Sequence, residues 1–356
     1  MRKSTKSKSL SSTTTSTDLD LFSSYSHEQV HIYDKLCSSL SSLCQIAYCT
    51  TEGVHICVPP TYNRQTSTSN LSPSSSSMLI TRIKYPFEST DQTNSISSNS
   101  TAYIFFEKIK NTLLPKLYQS YKLRPSSLSS FDRLLSSDLT QYKGFRQCLF
   151  SPFDVTVNRG QSILATISCA HEVFVYEIVS SSKRFFNSES ANLKFDLTKI
   201  LFESQEFEKI FHDSENENDH RLLYSHLTTR ILWSQTGKYL FQLQYSGHLI
   251  VWIFDGLKLE NEKSLKIIDT KISKPLTMIW NENQQHLIVI GKENQRILIE
   301  IERMMTINEI KQIDENDFMN VDHCEFIEIN QQTSILIESK INYCLISQIT
   351  FDKNQV

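Results

Sequence analysis

The sequence predicts an all-β fold made of repeated short meanders, and three observations predict it. First, residues 144–178, GFRQCLFSPFDVTVNRGQSILATISCAHEVFVYEI, hold three apolar runs separated by turn chemistry. Cys148, Leu149 and Phe150 lead into Ser151 and Pro152; residues 163–167 follow Asn158 and Gly160; residues 173–178 follow a polar turn beyond Cys169, Ala170 and His171. Three runs this short, rich in β-branched and aromatic side chains, read as strands of a meander. Second, residues 231–254, ILWSQTGKYLFQLQYSGHLIVWIF, and 278–301, MIWNENQQHLIVIGKENQRILIEI, repeat the form: an aromatic closes the first strand, a polar turn follows, and a Gly-containing turn separates two further strands. Third, the chain has only 7 glycines, and Gly53, Gly160, Gly237, Gly247 and Gly291 all sit between apolar runs, while Gly144 and Gly256 flank the units. A residue free to take positive φ is thus reserved for hairpin reversals. Sheets of this kind bury both faces against neighbours, so the expected architecture is a WD40-like β-propeller with about five recognisable blades.

Length and composition bound the rest. With 356 residues the chain is long enough for a large core, yet at 39% hydrophobic it should leave part of itself unpacked. A formal charge of −3, with no long Lys/Arg run, gives no electrostatic footprint for nucleic acid. No apolar run approaches the roughly 18 to 20 residues of a membrane helix. The Ser/Thr-rich start has no apolar segment and is not a secretory signal. Eight scattered cysteines read as reduced thiols rather than a disulfide framework.

In chain order, residues 1–28 have too little apolar area to offset their ordering entropy and are expected to be a disordered tail. Its basic start, Arg2, Lys3, Lys6 and Lys8, has the composition of a weak nuclear-import or phosphate-attracting element, although such tails more often have no specific role. Residues 29–350 are assigned to the propeller, with Ser-rich insertions near 61–77, 88–101 and 126–140, and 351–356 form a tail. CQIAYCTTEGVHICV, residues 44–58, is the first blade, stopped by Pro59 and Pro60. Residues 78–85 read as another strand, and 103–117 as either a strand or a short helix broken by Pro115. Residues 194–211 read as a strand and a short helix, and DSENENDH, 213–220, as a solvated acidic loop. Trp233 to Trp280 spans about 47 residues, near the roughly 40 to 45 of a WD40 repeat, and the last unit, 322–349, keeps that period.

A search for chemistry finds no catalytic, cofactor-binding or metal-binding set. The sparse glycines make no phosphate cradle. No cysteines have CxxC spacing, and Cys44 and Cys49, alternating with Ile46 and Tyr48, read as small buried hydrophobes. His55, His171 and His248 lie at or beside turns and are expected to bond the sheet of their own blade. Glu172 beside His171 suggests an acid/base pair, but neighbours in a strand point to opposite faces. Trp233, Trp252 and Trp280 are expected to pack in the core at equivalent blade positions rather than stack on bases. What remains is a rigid disc with loops, a form that grips other proteins.

The central stretch resembles the N-terminal propeller of the 90 kDa (delta) subunit of general transcription factor IIIC. The features that carry the resemblance are Gly144 and Phe145, then Ser151 and Pro152 after Phe150 (a tryptophan in the family), Gly160, and the strand with Leu164 and Ala165. Trp233, Ser234, Gly247 and Trp252 match its WS-turn-strand-G-x-IxVW unit, and residues 44–58 look like its first blade. The resemblance implies a nuclear scaffold subunit supporting RNA polymerase III transcription. Its partners would be the other subunits of that complex and the polymerase III initiation factors, with promoter DNA contacted indirectly and no cofactor. The family is also credited with histone acetyltransferase activity, for which this sequence supplies no motif. The alternatives are that activity, or a generic WD40 adaptor in another complex. The family's propeller should have about seven blades, so about five implies an incomplete product or strands from elsewhere.

Overall fold

A computed structural model describes residues 38–41, 45–50, 53–58, 79–86, 100–108, 110, 144–152, 161–180, 189–213, 225–255, 258–259, 264–272, 275–282, 285–291, 295–301, 305–309, 323–330, 333–339 and 344–350. The expected tails at 1–28 and 351–356, the insertions 61–77 and 126–140, most of 88–101, the loop 214–220, Cys44, Gly160 and Gly256 lie outside these residues.

Short alternating runs bounded by turn residues pair with their neighbours in sequence, and the result, among the described residues, is five antiparallel sheets taken in order. The first comprises β1 (Ser38–Leu40), β2 (Ile46–Thr50), β3 (Gly53–Val58) and β4 (Leu79–Ile83). In the second are β5 (Phe145–Phe150), β6 (Gln161–Ser168), β7 (Val173–Ser180) and β8 (Glu189–Asp196). The third runs through β9 (Thr228–Trp233), β10 (Tyr239–Gln244) and β11 (His248–Asp255), whose outer edge takes β12 (Lys258–Leu259) and β13 (Leu265–Asp269). The fourth holds β14 (Pro275–Asn281), β15 (His286–Gly291), β16 (Arg296–Glu300) and β17 (Met305–Glu309); the fifth holds β18 (His323–Asn330), β19 (Thr333–Ser339) and β20 (Cys344–Thr350).

The period of two in each strand divides the apolar side chains between two neighbours. On β11, Ile250, Trp252 and Phe254 join a core shared with the second sheet, while Leu249 and Val251 join one shared with the fourth. On β7, Val173 and Val175 face the third sheet, and Phe174, Tyr176 and Ile178 face the first. The leading strands follow suit: β5 lies beside β1 and β2, β9 beside β5, β14 beside β9 and β18 beside β14. Sheets buried on both faces, with their first strands side by side, are the blades of a WD40-like β-propeller.

Two glycines are required by close approach. A Cβ on Gly53 (φ +154°) would lie 2.2 Å from the Ile83 carbonyl oxygen, and one on Gly247 (φ +87°) 2.3 Å from that of Ile272. The ambiguous stretch after residue 100 forms a helix, α1 (Thr101–Lys108), started by Ser100, whose Oγ accepts from Tyr103 N at 3.3 Å. After β8 come two helices rather than the one expected, α2 (Leu197–Phe202) and α3 (Gln205–Asp213). Asp196 caps α2 by accepting from Lys199 N at 2.9 Å, and Ser204, between the helices, accepts from Phe207 N at 3.2 Å. The three helices pack together, Phe106 of α1 lying 4.8 Å from Phe202, which lies 4.6 Å from Phe207.

Candidate functional site

The first strands are bulged at one repeated position. Arg146, Thr229 and Leu276 are the extra residues in β5, β9 and β14, and each stands four residues before the aromatic that closes its strand: Phe150, Trp233 and Trp280. A bulge twists its strand and turns a carbonyl out of the ladder. The side chain one residue past the bulge in one blade donates to the bulge carbonyl of the next. Gln147 Nε2 reaches the Thr229 oxygen at 3.1 Å, and Arg230 Nε reaches the Leu276 oxygen at 3.3 Å. Arg146 adds Nη2 bonds to Thr228 O (2.6 Å) and Thr229 O (3.0 Å). These donors satisfy carbonyls that the bulges leave outside their own sheets.

The far ends of the same strands are joined differently. Trp233 Nε1 donates to Leu149 O of the preceding blade at 3.2 Å. Glu282, just past β14, accepts from Trp280 Nε1 (2.6 Å) and from the backbone of Gln235 (2.7 Å) and Thr236 (3.3 Å) in the preceding blade's turn. Burial raises its pKa, but these donors outweigh burial and hold it below the ordinary glutamate range.

Two buried titratable groups, His171 and Glu172, serve similar joints. His171 bonds Thr228 O of the next blade through Nδ1 at 2.8 Å, not its own sheet as expected. Burial, with the Arg146 charge, lowers its pKa to about 3 against the pull of that carbonyl. Cys169 is pushed up to about 12 by burial, with Arg146 opposing. His248 does bond its own turn, Nδ1 to Ser246 Oγ at 2.7 Å, whereas His55 lies inside β3 stacked on Tyr48 at 5.2 Å. Glu172 is no partner of His171, but the reason is not strand alternation: both residues lie in the turn between β6 and β7 and bond in different directions. Glu172 accepts from Tyr85 OH (2.5 Å), Lys110 Nζ (3.0 Å) and Ser168 Oγ (3.1 Å), tying the first sheet's exit and the end of α1 to the second sheet.

The residues that carried the family resemblance lie in this framework. Gly144 accepts from Cys169 N at 2.7 Å; Phe145, Leu164 and Ala165 are fully buried; Phe150 closes β5; Ser151 N donates to Ile163 O at 2.9 Å; Pro152 is half-buried. Ser234 N bonds Tyr239 O (2.8 Å), and Ser234 Oγ accepts from Tyr239 N (3.0 Å), closing the turn that holds Gly237. Trp233 and Trp280 hold equivalent positions, but Trp252 does not: it lies in the third strand of its blade and donates Nε1 to Gln242 Oε1 at 2.8 Å. All three tryptophans are buried, none offering a face for base stacking. The relay donors Gln147 and Arg230 were missed because a polar residue inside a strand carries no signal for a bond to another sheet. Only their fixed offset from the closing aromatic marks them.

The arrangement resembles solved propellers. The β-propeller domain of Myceliophteria thermophila Cps50 (Swd1) matches with TM-score 0.34 and 11% identity, over 59% of this chain and 61% of that one. The C-terminal WD40 domain of Sif2 matches with TM-score 0.31 and 14% identity, over 56% of this chain and 46% of that one. The chain therefore spans about three fifths and about half of those proteins. At this level of likeness the architecture rests on strand order and face partition rather than on the matches. No family model and no curated protein matches the chain.

Proposed function

We propose that the chain is a noncatalytic scaffold that holds other proteins on the turns and rims of a propeller. The observation that carries this reading is the use made of polar side chains at the blade boundaries: the buried Arg146, Gln147 and His171 and the partly exposed Arg230 and Glu282 all bond across them. Groups committed to joints between sheets build a rigid frame, and rigid frames present loops to partners.

The finer reading is a nuclear subunit of the transcription factor IIIC complex, of the 90 kDa type, acting in RNA polymerase III transcription. Its support is the order of Gly144, Phe145, Phe150, Ser151, Pro152, Gly160, Leu164 and Ala165, followed by Trp233, Ser234, Gly247 and Trp252. On this reading the propeller occupies 29–350 and includes the Ser-rich insertions, 1–28 and 351–356 are tails, the partners are the other subunits and the initiation factors, and promoter DNA is reached indirectly. Affinity purification of the tagged full chain from nuclear extract tests it. Recovery of the remaining subunits is expected; recovery of a different assembly leaves a generic adaptor. Incubation of the purified chain with labelled acetyl-CoA and histones is expected to give no transfer, and transfer would overturn the noncatalytic reading in favour of the activity credited to the family.

A further inference from the structure

The fifth sheet departs from the others at its outer edge. In the first four sheets the third strand is covered by a further one: β4 pairs with β3, β8 with β7, β13 with β11 and β17 with β16. Among the described residues β20 pairs on one side only, with β19. The covering strands also carry charge, Arg82 in β4, Lys194 in β8, Lys266 in β13 and Glu309 in β17, and charge on an outer strand deters further pairing. β20, CLISQIT, has 7 residues with no charge, proline or glycine, and its Ile346 is 65% exposed. An edge without those guards is a template for another strand.

The charge of the sheet selects the strand that fits. Glu325 and Glu328 lie in β18 and Glu338 in β19, and the three strands contain no Lys or Arg. The register continues the rows of Glu338 and Glu328 to Leu345 and Ile349 on β20, on the face opposite Ile346. In the second sheet a buried glutamate on the third strand, Glu177, is neutralised by Lys194 on the fourth. We propose that the fifth sheet takes its fourth strand from a partner protein. An extended segment pairs antiparallel along β20, as the other fourth strands do, with apolar residues on the face that Ile346 shares with the exposed Ile327 and with Lys or Arg on the opposite face. Main-chain hydrogen bonds hold the segment, and the alternation of apolar and basic residues selects it. A second copy of the sheet fits less well, because it brings the same glutamates and no cation. The inference rests on the scaffold reading and gives it a location and a partner chemistry.

Binding of labelled octapeptides to the full chain, read by fluorescence anisotropy, tests the edge. A peptide alternating Val and Lys should bind at least about tenfold more tightly than one alternating Val and Glu, and Ile346→Lys should weaken it by about tenfold or more. Equal binding of the two peptides, or undiminished binding to Ile346→Lys, overturns the proposal. So does equal binding of a Val/Lys peptide N-methylated throughout, which has no donors for an edge; the comparisons on the wild-type chain decide even if the variant does not fold. A dimer in sedimentation equilibrium that Ile346→Lys dissociates would give the edge to a second copy and also overturn it. In affinity purification, partners recovered equally with wild type and Ile346→Lys would remove this edge and leave the scaffold reading standing, whereas no partner with either would defeat the scaffold reading itself.

Discussion

The second to fourth sheets and the fifth sheet are built from similar strand triplets but use their surfaces differently. In the inner sheets both faces are buried, and Leu164, Ile250 and Ile290 are all fully enclosed. In the fifth, Leu336 is enclosed, yet Ile327 on β18 is 43% exposed and Ile346 on β20 65% exposed. The fifth sheet also lacks, among the described residues, the spacing of bulge and closing aromatic seen in β5, β9 and β14; its irregularity lies after Glu328, beyond Phe326 rather than before it. The contrast shows that the aromatic and the bulge together form a joint between blades rather than a feature of a single sheet.

The largest effect should come from breaking such a joint. Trp233→Ala removes a ring packed 5.2 Å from Phe254 and the bond to Leu149 O, and should cost about 3–5 kcal/mol in denaturant unfolding. Acid should weaken the joints next. Burial lowers His171 to about 3 and His226 to about 4, with His248 and His286 also lowered, so the unfolded chain takes up protons that the folded chain refuses. Burial raises Asp196 and Glu172, which act in the opposite sense, but the histidines outnumber them. Stability should therefore fall as pH drops from 6.5 towards 4.5, by about 1.4 kcal/mol per pH unit for each net proton, measured by urea unfolding at stepped pH. A single histidine changed to glutamine should flatten that slope.

Smaller effects sharpen the same contrast. Gly247→Ala puts a methyl against the Ile272 carbonyl at positive φ and should cost about 1–3 kcal/mol. Ile346→Ser, on the open face of the fifth sheet, should change stability by no more than about 0.5 kcal/mol, where the same change at Ile250 would be severe.

Most of this architecture was legible in the sequence because period-two apolar runs and scarce glycines are local signals. Phe150 and Trp233 do end the first strands of their blades, and Trp280 stands one residue before the end of its own. The outer strands were harder to see: β8, ESANLKFD, and β17, MTINE, are short and polar, and belong to their sheets only through pairing. Trp252 was placed wrongly because a strand buried on both faces is apolar throughout, which hides its position within the blade. The bonds from Gln147, Arg230 and His171 to the next blade join residues 46 to 82 positions apart, and no local pattern encodes such pairs.

The claim that successive sheets stack face to face is tested most directly by a double-mutant cycle across the third and fourth blades. Phe241 and Trp280, with ring centroids 5.0 Å apart, belong to different sheets and touch only if those sheets stack. Phe241→Leu, Trp280→Leu and the double variant should give a coupling energy of about 0.5–1.5 kcal/mol in urea unfolding. Strictly additive losses would mean that the two rings do not meet, which would contradict the stacking of these sheets as neighbouring blades.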